Sequence, residues 1–263
     1  MIRKNGNYFC DEIMLQMLSG RVILSEKWEP FFGITRCATH PNFQTGSSQP
    51  AMMDTSSPRL MLFSPKISDG EAFLSPLRAA LSAGEVAALV LDLADADERS
   101  LINMVKGIAP VAQAKGAAVL VAERTEIVAR AGADGVHLRD PAGLGAALEL
   151  LKRQDRIVGA GGLRLRDDAM VAAEKGADYV LFGEEDPDGR RLPLSNVIER
   201  ASWWSSILET PCVAFASSLD EVDDLAATGA EFVAVGEPLW SQAEGPAAGT
   251  ASALRRLAHR TSA

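Results

Sequence analysis

The sequence predicts an α/β protein folded as one (β/α)8 TIM barrel, and three observations lead to that prediction. A Gly-Ala-Asp or Gly-Ala-Glu phrase recurs at residues 132–134, 176–178 and 229–231. Each Gly suits the left-handed position that ends a helix, where a Cβ is unfavourable. A short apolar run follows each phrase, as in a strand buried on both faces. From residue 59 onward, eight strand-plus-helix units can be counted, which favours a closed barrel over an open sheet.

The predicted elements alternate along the chain in the order that a parallel barrel requires. Short apolar runs predict strands at residues 60–63, 87–91, 118–122, 135–138, 157–159, 179–182, 212–215 and 232–235. Between them, apolar residues recur at helical spacing, as Leu101, Val105 and Ile108 do. Acidic residues in first turns, such as Asp167 and Asp168, favour the helix dipole. Helices are predicted at residues 72–83, 100–114, 144–153, 166–175, 194–208, 219–227 and 247–259.

Composition limits the classes of partner. The chain has 263 residues, 47% of them hydrophobic and 23% charged, as is usual for a globular protein. Its net charge of -9 argues against nucleic acid and anionic membranes as main partners, since both require a basic surface. Cys10, Cys37 and Cys212 form no metal motif, and Cys212 is predicted to be a buried thiol. No apolar stretch is long enough to span a bilayer and no secretory signal is recognisable, so we expect a cytoplasmic protein.

Residues 1–57 differ from the barrel predicted for residues 58–263. Their sequence shows no clear helix or strand periodicity, which predicts an irregular segment. Residues 39–50 are polar and rich in turn formers. One interpretation is that the natural start is Met52 or Met53 and that the preceding segment is a mis-assigned leader. The other is an N-terminal extension that docks on the barrel. Mass spectrometry of the native N-terminus distinguishes the two.

Carboxylates follow four of the predicted strands, at the end of the barrel where βα loops carry the chemistry. They are Asp92, Glu123, Asp140 and Glu184. Oxygen ligands that converge there could hold Mg²⁺. The alternative is that they cap helices and keep the loops soluble.

Cations and glycines at the same end could bind an anion. Arg139, Arg164 and Arg166 could clamp a phosphate, because guanidinium groups match its oxygens. They could equally form surface ion pairs with neighbouring carboxylates. Gly161 and Gly162 could bring main-chain N–H groups to an anion, or could simply form a tight turn.

Two further features are interpreted as structural. His137 lies on the fourth strand, where a single histidine is more often a satisfied core group than a catalyst. Trp203 and Trp204 are adjacent on a helix and cannot face the same direction, so one is expected in the core.

The phrase Gly-Ala-Asp-Gly-Val-His-Leu at residues 132–138, with residues 173–180 downstream, resembles the thiamine phosphate synthase and thiazole tautomerase superfamily. The resemblance extends over roughly residues 59–259. It implies a barrel enzyme of thiamine biosynthesis that joins hydroxymethylpyrimidine diphosphate to thiazole phosphate with Mg²⁺ and releases diphosphate. It also implies a phosphorylated small metabolite as ligand, and self-association as a homo-oligomer is a further expectation.

The chain departs from the family pattern at most of its strand ends. The family's Gln-Leu-Arg-Glu-Lys is Leu-Asp-Leu-Ala-Asp at residues 91–95, and its Asn-Asp-Arg is Ala-Glu-Arg at residues 122–124. An acid, Glu237, stands after strand eight, where the family has Val-Ser. We therefore interpret the chain as a diverged member. The resemblance assigns metal candidates Glu123 and Asp140, and phosphate-binding candidates Arg124, Arg139, Gly161, Gly162, Arg164, Ser217, Ser218 and Gly236.

Three functions remain open at this point. The first is a diverged transferase of thiamine phosphate assembly, tested by turnover with both substrates. The second is a non-catalytic paralogue that binds a metabolite or has a regulatory role. The third is a different barrel enzyme, such as an isomerase or aldolase that uses Lys66, tested by borohydride trapping.

Overall fold

Eight parallel strands close into a barrel in the computed structural model, which describes residues 57–186 and 188–258. Each strand pairs with the next, and the first also pairs with the eighth, so that Met61 lies opposite both Ala88 and Ala234. The barrel prediction is confirmed. The predictions for the segment before residue 57 fall outside the described residues. The strands are β1 (Arg59–Phe63), β2 (Ala88–Leu91), β3 (Ala118–Ala122), β4 (Gly135–Leu138), β5 (Ile157–Ala160), β6 (Tyr179–Phe182), β7 (Cys212–Ala216) and β8 (Phe232–Val235).

Helices connect the strands and cover the outside of the barrel. Most lie within a few residues of the predicted bounds. Two short ones, Val128–Ala131 and Glu237–Trp240, were not predicted, because four residues are too few to show a helical period. The helices are α1 (Gly70–Ser82), α2 (Glu98–Gln113), α3 (Val128–Ala131), α4 (Leu144–Leu151), α5 (Arg166–Lys175), α6 (Leu194–Ile207), α7 (Val222–Ala226), α8 (Glu237–Trp240) and α9 (Pro246–Ala258). Single 3₁₀ turns lie at Thr125–Ile127, Pro141–Gly143, Lys152–Gln154 and Leu219–Glu221.

The recurring phrase has a common structural role. Gly132 and Gly176 end α3 and α5 with φ of 76° and 99°, in the left-handed region that favours glycine. The acid two residues later accepts a hydrogen bond from a main-chain N–H at the start of a neighbouring strand. Each of these N···O distances is 2.7 Å, and the pairs are Asp134 with Val119, Asp178 with Val158, and Glu231 with Cys212. The phrase therefore ends a helix and fixes the start of an adjacent strand.

The core has two layers, one inside the barrel and one between the strands and the helices. The inner layer contains Met61, Leu120 and Phe232, all buried. In the outer layer Trp204 is fully buried, which confirms that one of the two tryptophans belongs to the core. Cys212 is a buried free thiol, as predicted. Within the described residues, no helix combines the length and the hydrophobicity needed to cross a membrane.

Candidate active site at the mouth of the barrel

An open cavity of about 880 Å³ lies where the strands end and the βα loops begin. The rings of Phe63 and Phe215 line it and meet edge to face, with centroids 5.2 Å apart. Polar groups from several loops form most of the remaining wall. Carboxylates outnumber arginines among them: Asp92, Glu184, Glu185, Asp186 and Glu237 against Arg139 and Arg191. A volume of this size suits a small-molecule site.

A continuous series of polar contacts runs from the barrel interior to this cavity. The Tyr179 hydroxyl lies 2.8 Å from Nδ1 of His137, and Nε2 of His137 lies 2.8 Å from Oε2 of Glu184. The other oxygen of Glu184 accepts a hydrogen bond from Nε of Arg139 at 2.6 Å. Arg139 also donates through Nη1 to Asp92 at 3.1 Å. His137 is fully buried and satisfied on both ring nitrogens, as predicted, but one of its partners lines the cavity.

The charges in this series are held in place by their surroundings. Burial of Glu184 alone would raise its pKa, but contacts with His137 and Arg139 outweigh burial and hold the pKa below its ordinary value. Burial of Arg139 would lower its pKa, but Glu184 and Asp92 raise it further. For Tyr179, burial and the nearby carboxylates place the pKa well above its ordinary value, so the phenol stays neutral. Glu184 is therefore a buried carboxylate and Arg139 its fixed counter-charge.

Glycines after β5 make room for this series. A Cβ on Gly161 would lie 2.5 Å from Oε2 of Glu184 and 2.7 Å from the His137 ring. A Cβ on Gly162, whose φ is 62°, would lie 1.9 Å from the carbonyl oxygen of Arg139. The N–H of Gly161 donates to the Leu138 carbonyl at 2.6 Å. Close packing thus accounts for the glycines, while their use by an anion stays a prediction.

Glu123 and Asp140, the two predicted metal ligands, each accept a main-chain hydrogen bond. Glu123 has a left-handed backbone (φ 62°), and its carboxylate accepts the N–H of Arg139. Asp140 accepts the N–H of Ala142 at 2.9 Å and caps the 3₁₀ turn that follows β4. Among the described residues, no group of three or more His, Cys, Asp or Glu side chains is placed to hold a metal ion. In this arrangement the residues do not fit a preformed Mg²⁺ site.

Donors for an anion converge after β7, but a carboxylate of the chain occupies them. Glu221 accepts the Ser217 N–H at 2.7 Å, the Ser217 hydroxyl at 2.8 Å and Nη2 of Arg191 at 2.8 Å. Burial acts to raise the pKa of Glu221, but Ser217 and Arg191 outweigh it and lower the pKa. Arg191 also donates to the Gly183 and Phe215 carbonyls. A phosphate at Ser217 would have to displace Glu221.

The remaining phosphate candidates lie around the same mouth. Ser218 and Gly236 line the main cavity. Arg124 lines a neighbouring depression of about 280 Å³, together with the exposed Lys66, and pairs with Asp95 at 2.5 Å. Arg164, half exposed, pairs with Asp186 at 3.1 Å. The ion pairs expected as the alternative are therefore present at Arg164 and, with Glu199, at Arg166. Asp92 and Arg139 belong to both the cavity and the depression.

The sequence model of one family, described as thiamine monophosphate synthase, matches residues 60–239, from β1 into α8. The chain belongs to the thiamine monophosphate synthase family. The matched region contains all the mouth residues described above, and of the residues that line the cavity only Ser241 and Gln242 lie beyond it. The fold and the resemblance seen in the sequence are thereby confirmed.

Relatives of known name agree with this assignment. The chain is 37% identical to a thiamine-phosphate synthase of Rhodospirillum centenum, over 73% of this chain and 94% of that protein. It is 36% identical to a thiamine-phosphate synthase of Hyphomonas neptunium, over 75% of this chain and 94% of that one. The solved thiamine phosphate pyrophosphorylase of Pyrococcus furiosus superposes with a TM-score of 0.65. That likeness covers 78% of this chain and 98% of the other at 22% identity, and it shows the shared barrel.

Sequence reasoning missed two mouth residues of this thiamine monophosphate synthase family member. They are Arg191, in the loop after β6, and Glu221, in the 3₁₀ turn after β7. The two side chains meet although 30 positions separate them in sequence. The available signal was the pair Arg190-Arg191 directly after a strand end, where a guanidinium can reach the next strand's carbonyls.

Proposed function

We propose that this chain joins hydroxymethylpyrimidine diphosphate to thiazole phosphate, and so forms thiamine phosphate, at the mouth cavity. The observation that carries the proposal is the family match over residues 60–239, which contains nearly the whole cavity wall. The chain also spans 94% of the length of both named synthases. We place the reaction in the cytoplasm, the compartment expected from the sequence.

The charge of the cavity is compatible with this chemistry. The thiazole nitrogen gives its lone pair to the methylene carbon of the pyrimidine, a C–N bond forms, and the C–O bond to diphosphate breaks. Diphosphate leaves with the electron pair of the broken C–O bond, and the thiazole ring becomes a permanent cation. We place the thiazole ring in the cavity lined by the carboxylates of Asp92 and Glu184, so that this positive charge develops beside them. Fixed charges of opposite sign stabilise such a transition state.

The anionic groups need separate positions. We place the diphosphate in the smaller depression, against Lys66 and Arg124, because both cations reach solvent there. We place the thiazole phosphate near Ser217, Ser218 and Gly236, where it would replace the Glu221 carboxylate. Magnesium remains a prediction from the resemblance, and no step here uses it.

Turnover of the purified full chain tests the proposal, with both substrates present and thiamine phosphate measured by chromatography. Arg124→Ala is expected to lower kcat/KM about ten-fold or more, because a charged contact to the leaving group is lost. Arg130→Ala is the matched control, since that arginine is exposed on α3 and pairs with Glu98. Absence of product from folded protein would overturn the proposal and favour a non-catalytic metabolite-binding paralogue.

A further inference from the structure

Arg139 is contacted by carboxylates from three different strand ends. Its guanidinium binds Glu184, from the loop after β6, and Asp92, from the end of β2. Its main-chain N–H binds Glu123, at the end of β3. Arg139 itself directly follows β4. Arg139, on the loop after β4, therefore bridges carboxylates that three other loops bring to the mouth.

Acids brought together in this way require a positive charge between them. The side chain of Glu184 is 5% exposed and that of Asp92 27%, so water screens their repulsion incompletely. A divalent cation or a guanidinium can supply the charge. The N···O distances of 2.6 and 3.1 Å are direct hydrogen bonds, and they leave no space for an ion between Arg139 and either acid.

We propose that the guanidinium of Arg139 takes the place of a divalent cation at this mouth, so that the free protein binds no Mg²⁺ there. The planar fork of Arg139 presents Nε to Glu184 and Nη1 to Asp92, which fixes both carboxylates facing the cavity. Unlike a metal ion, this charge cannot be removed by a chelator. Any use of this charge in catalysis rests on the proposed function. The cation-binding behaviour of the protein does not depend on it.

Equilibrium binding of Mn²⁺ to the full chain, read from the electron paramagnetic resonance signal of the free ion, tests the inference without substrate. Wild-type protein is expected to bind no Mn²⁺ at the mouth. Arg139→Met removes the guanidinium and leaves Asp92 and Glu184 without their cation. We expect that variant to gain one Mn²⁺ site at least ten-fold tighter than any wild-type site, with competition by Mg²⁺.

Three further variants control this measurement. Arg139→Lys keeps a positive charge and is expected to gain no site. Arg164→Met removes another arginine from the same end of the barrel, but its partner Asp186 keeps Arg190, so no site is expected. Arg139→Gln keeps a hydrogen-bond donor and replaces Arg139→Met if circular dichroism shows that the methionine variant does not fold.

A stoichiometric Mn²⁺ site in the wild type that Asp92→Asn removes would overturn the inference, because a cation would then bind beside Arg139. It would also be overturned if folded Arg139→Met, or folded Arg139→Gln used in its place, bound no Mn²⁺. Neither result depends on turnover. Failure to form thiamine phosphate would therefore be recognised separately, as failure of the proposed function.

Discussion

Glu184 is the residue that joins the barrel interior to the cavity. One of its oxygens contacts the buried His137 and the other contacts Arg139, which is 29% exposed. A buried carboxylate without such partners would be strongly unfavourable. The residue is therefore tolerated in the core only because both partners are present, and changes at any of the three should be coupled.

The stability of the protein should depend on pH through Glu184. Its folded pKa lies below the ordinary value of 4.5, so its contribution is complete above that value and is lost as pH falls through the folded pKa. Glu184→Gln is expected to lower the free energy of unfolding by about 1–3 kcal/mol at pH 7, and less at acidic pH. Urea denaturation at several pH values measures the difference. The exposed neighbour variant Glu185→Gln is the control, and an equal loss at all pH values would contradict the prediction.

Gly161 should tolerate no side chain. The Cβ of Gly161→Ala would press against Glu184 and His137 and separate the pair, so we expect a loss of about 1–3 kcal/mol in the free energy of unfolding. Gly107→Ala is a matched control, because nothing lies within 4 Å of its Cβ and it is exposed inside α2. That control should gain about 0.5–1 kcal/mol. Similar effects of both substitutions on urea denaturation would refute the packing argument.

The burial of His137 could be predicted from the sequence, whereas its partners could not. A histidine within the apolar run of a parallel barrel strand is expected to be buried on either face, because helices cover one face and the barrel interior the other. Glu184, however, lies 47 positions later, and its rotamer depends on Arg139 and Gly161. Position at a strand end identifies candidates. The choice among them depends on side-chain contacts between distant loops, which no local pattern contains.

At the scale of elements, the acids of the recurring phrase hold the strands in register. Asp178 is the most buried of the three, with a side chain 1% exposed, and it also binds Lys152 at 2.9 Å. Asp134 and Glu231 are only partly buried. All three bonds lie at the amino ends of the strands, opposite the cavity, where contacts serve stability.

Loss of these acids should cost stability in the order of their burial. Asp178→Ala leaves the buried N–H of Val158 and the amine of Lys152 without this acceptor, and we expect a loss of about 2–4 kcal/mol. Asp134→Ala should cost less, about 1–2 kcal/mol. Thermal and urea denaturation measure both. Equal losses, or a larger loss at Asp134, would show that burial does not govern these bonds. Neither variant should alter substrate affinity.

The strands and long helices were predictable because their apolar periods are complete within each segment. Helix α2, for example, buries Leu101, Val105 and Ile108 as its spacing requires. The four-residue helices α3 and α8 were not predictable, since they contain about one turn each and depend on tertiary packing. The role of the phrase acids was also missed, because a hydrogen bond to another strand leaves no trace in local sequence.

At the scale of the whole molecule, Cys212 reports on opening of the barrel. The thiol is fully buried in β7, and burial together with Glu231 raises its pKa well above the ordinary value. In a Cys10→Ser, Cys37→Ser background, we expect no reaction with a thiol reagent at neutral pH in native buffer. Reaction should appear only across the urea unfolding transition measured by circular dichroism. Rapid labelling of folded protein would mean that β7 opens locally.

The residues of the polar series at the mouth come from both halves of the barrel, β1–β4 and β5–β8. His137, Arg139 and Asp92 lie in or beside β2 and β4, whereas Tyr179 and Glu184 lie in or beside β6. Neither half of the barrel contains the whole series. If the protein were cleaved in the connection between β4 and β5, each fragment would carry an incomplete set of buried charges. Recovery of the site would then show that the two fragments had reassembled, so the site could be used to follow fragment complementation.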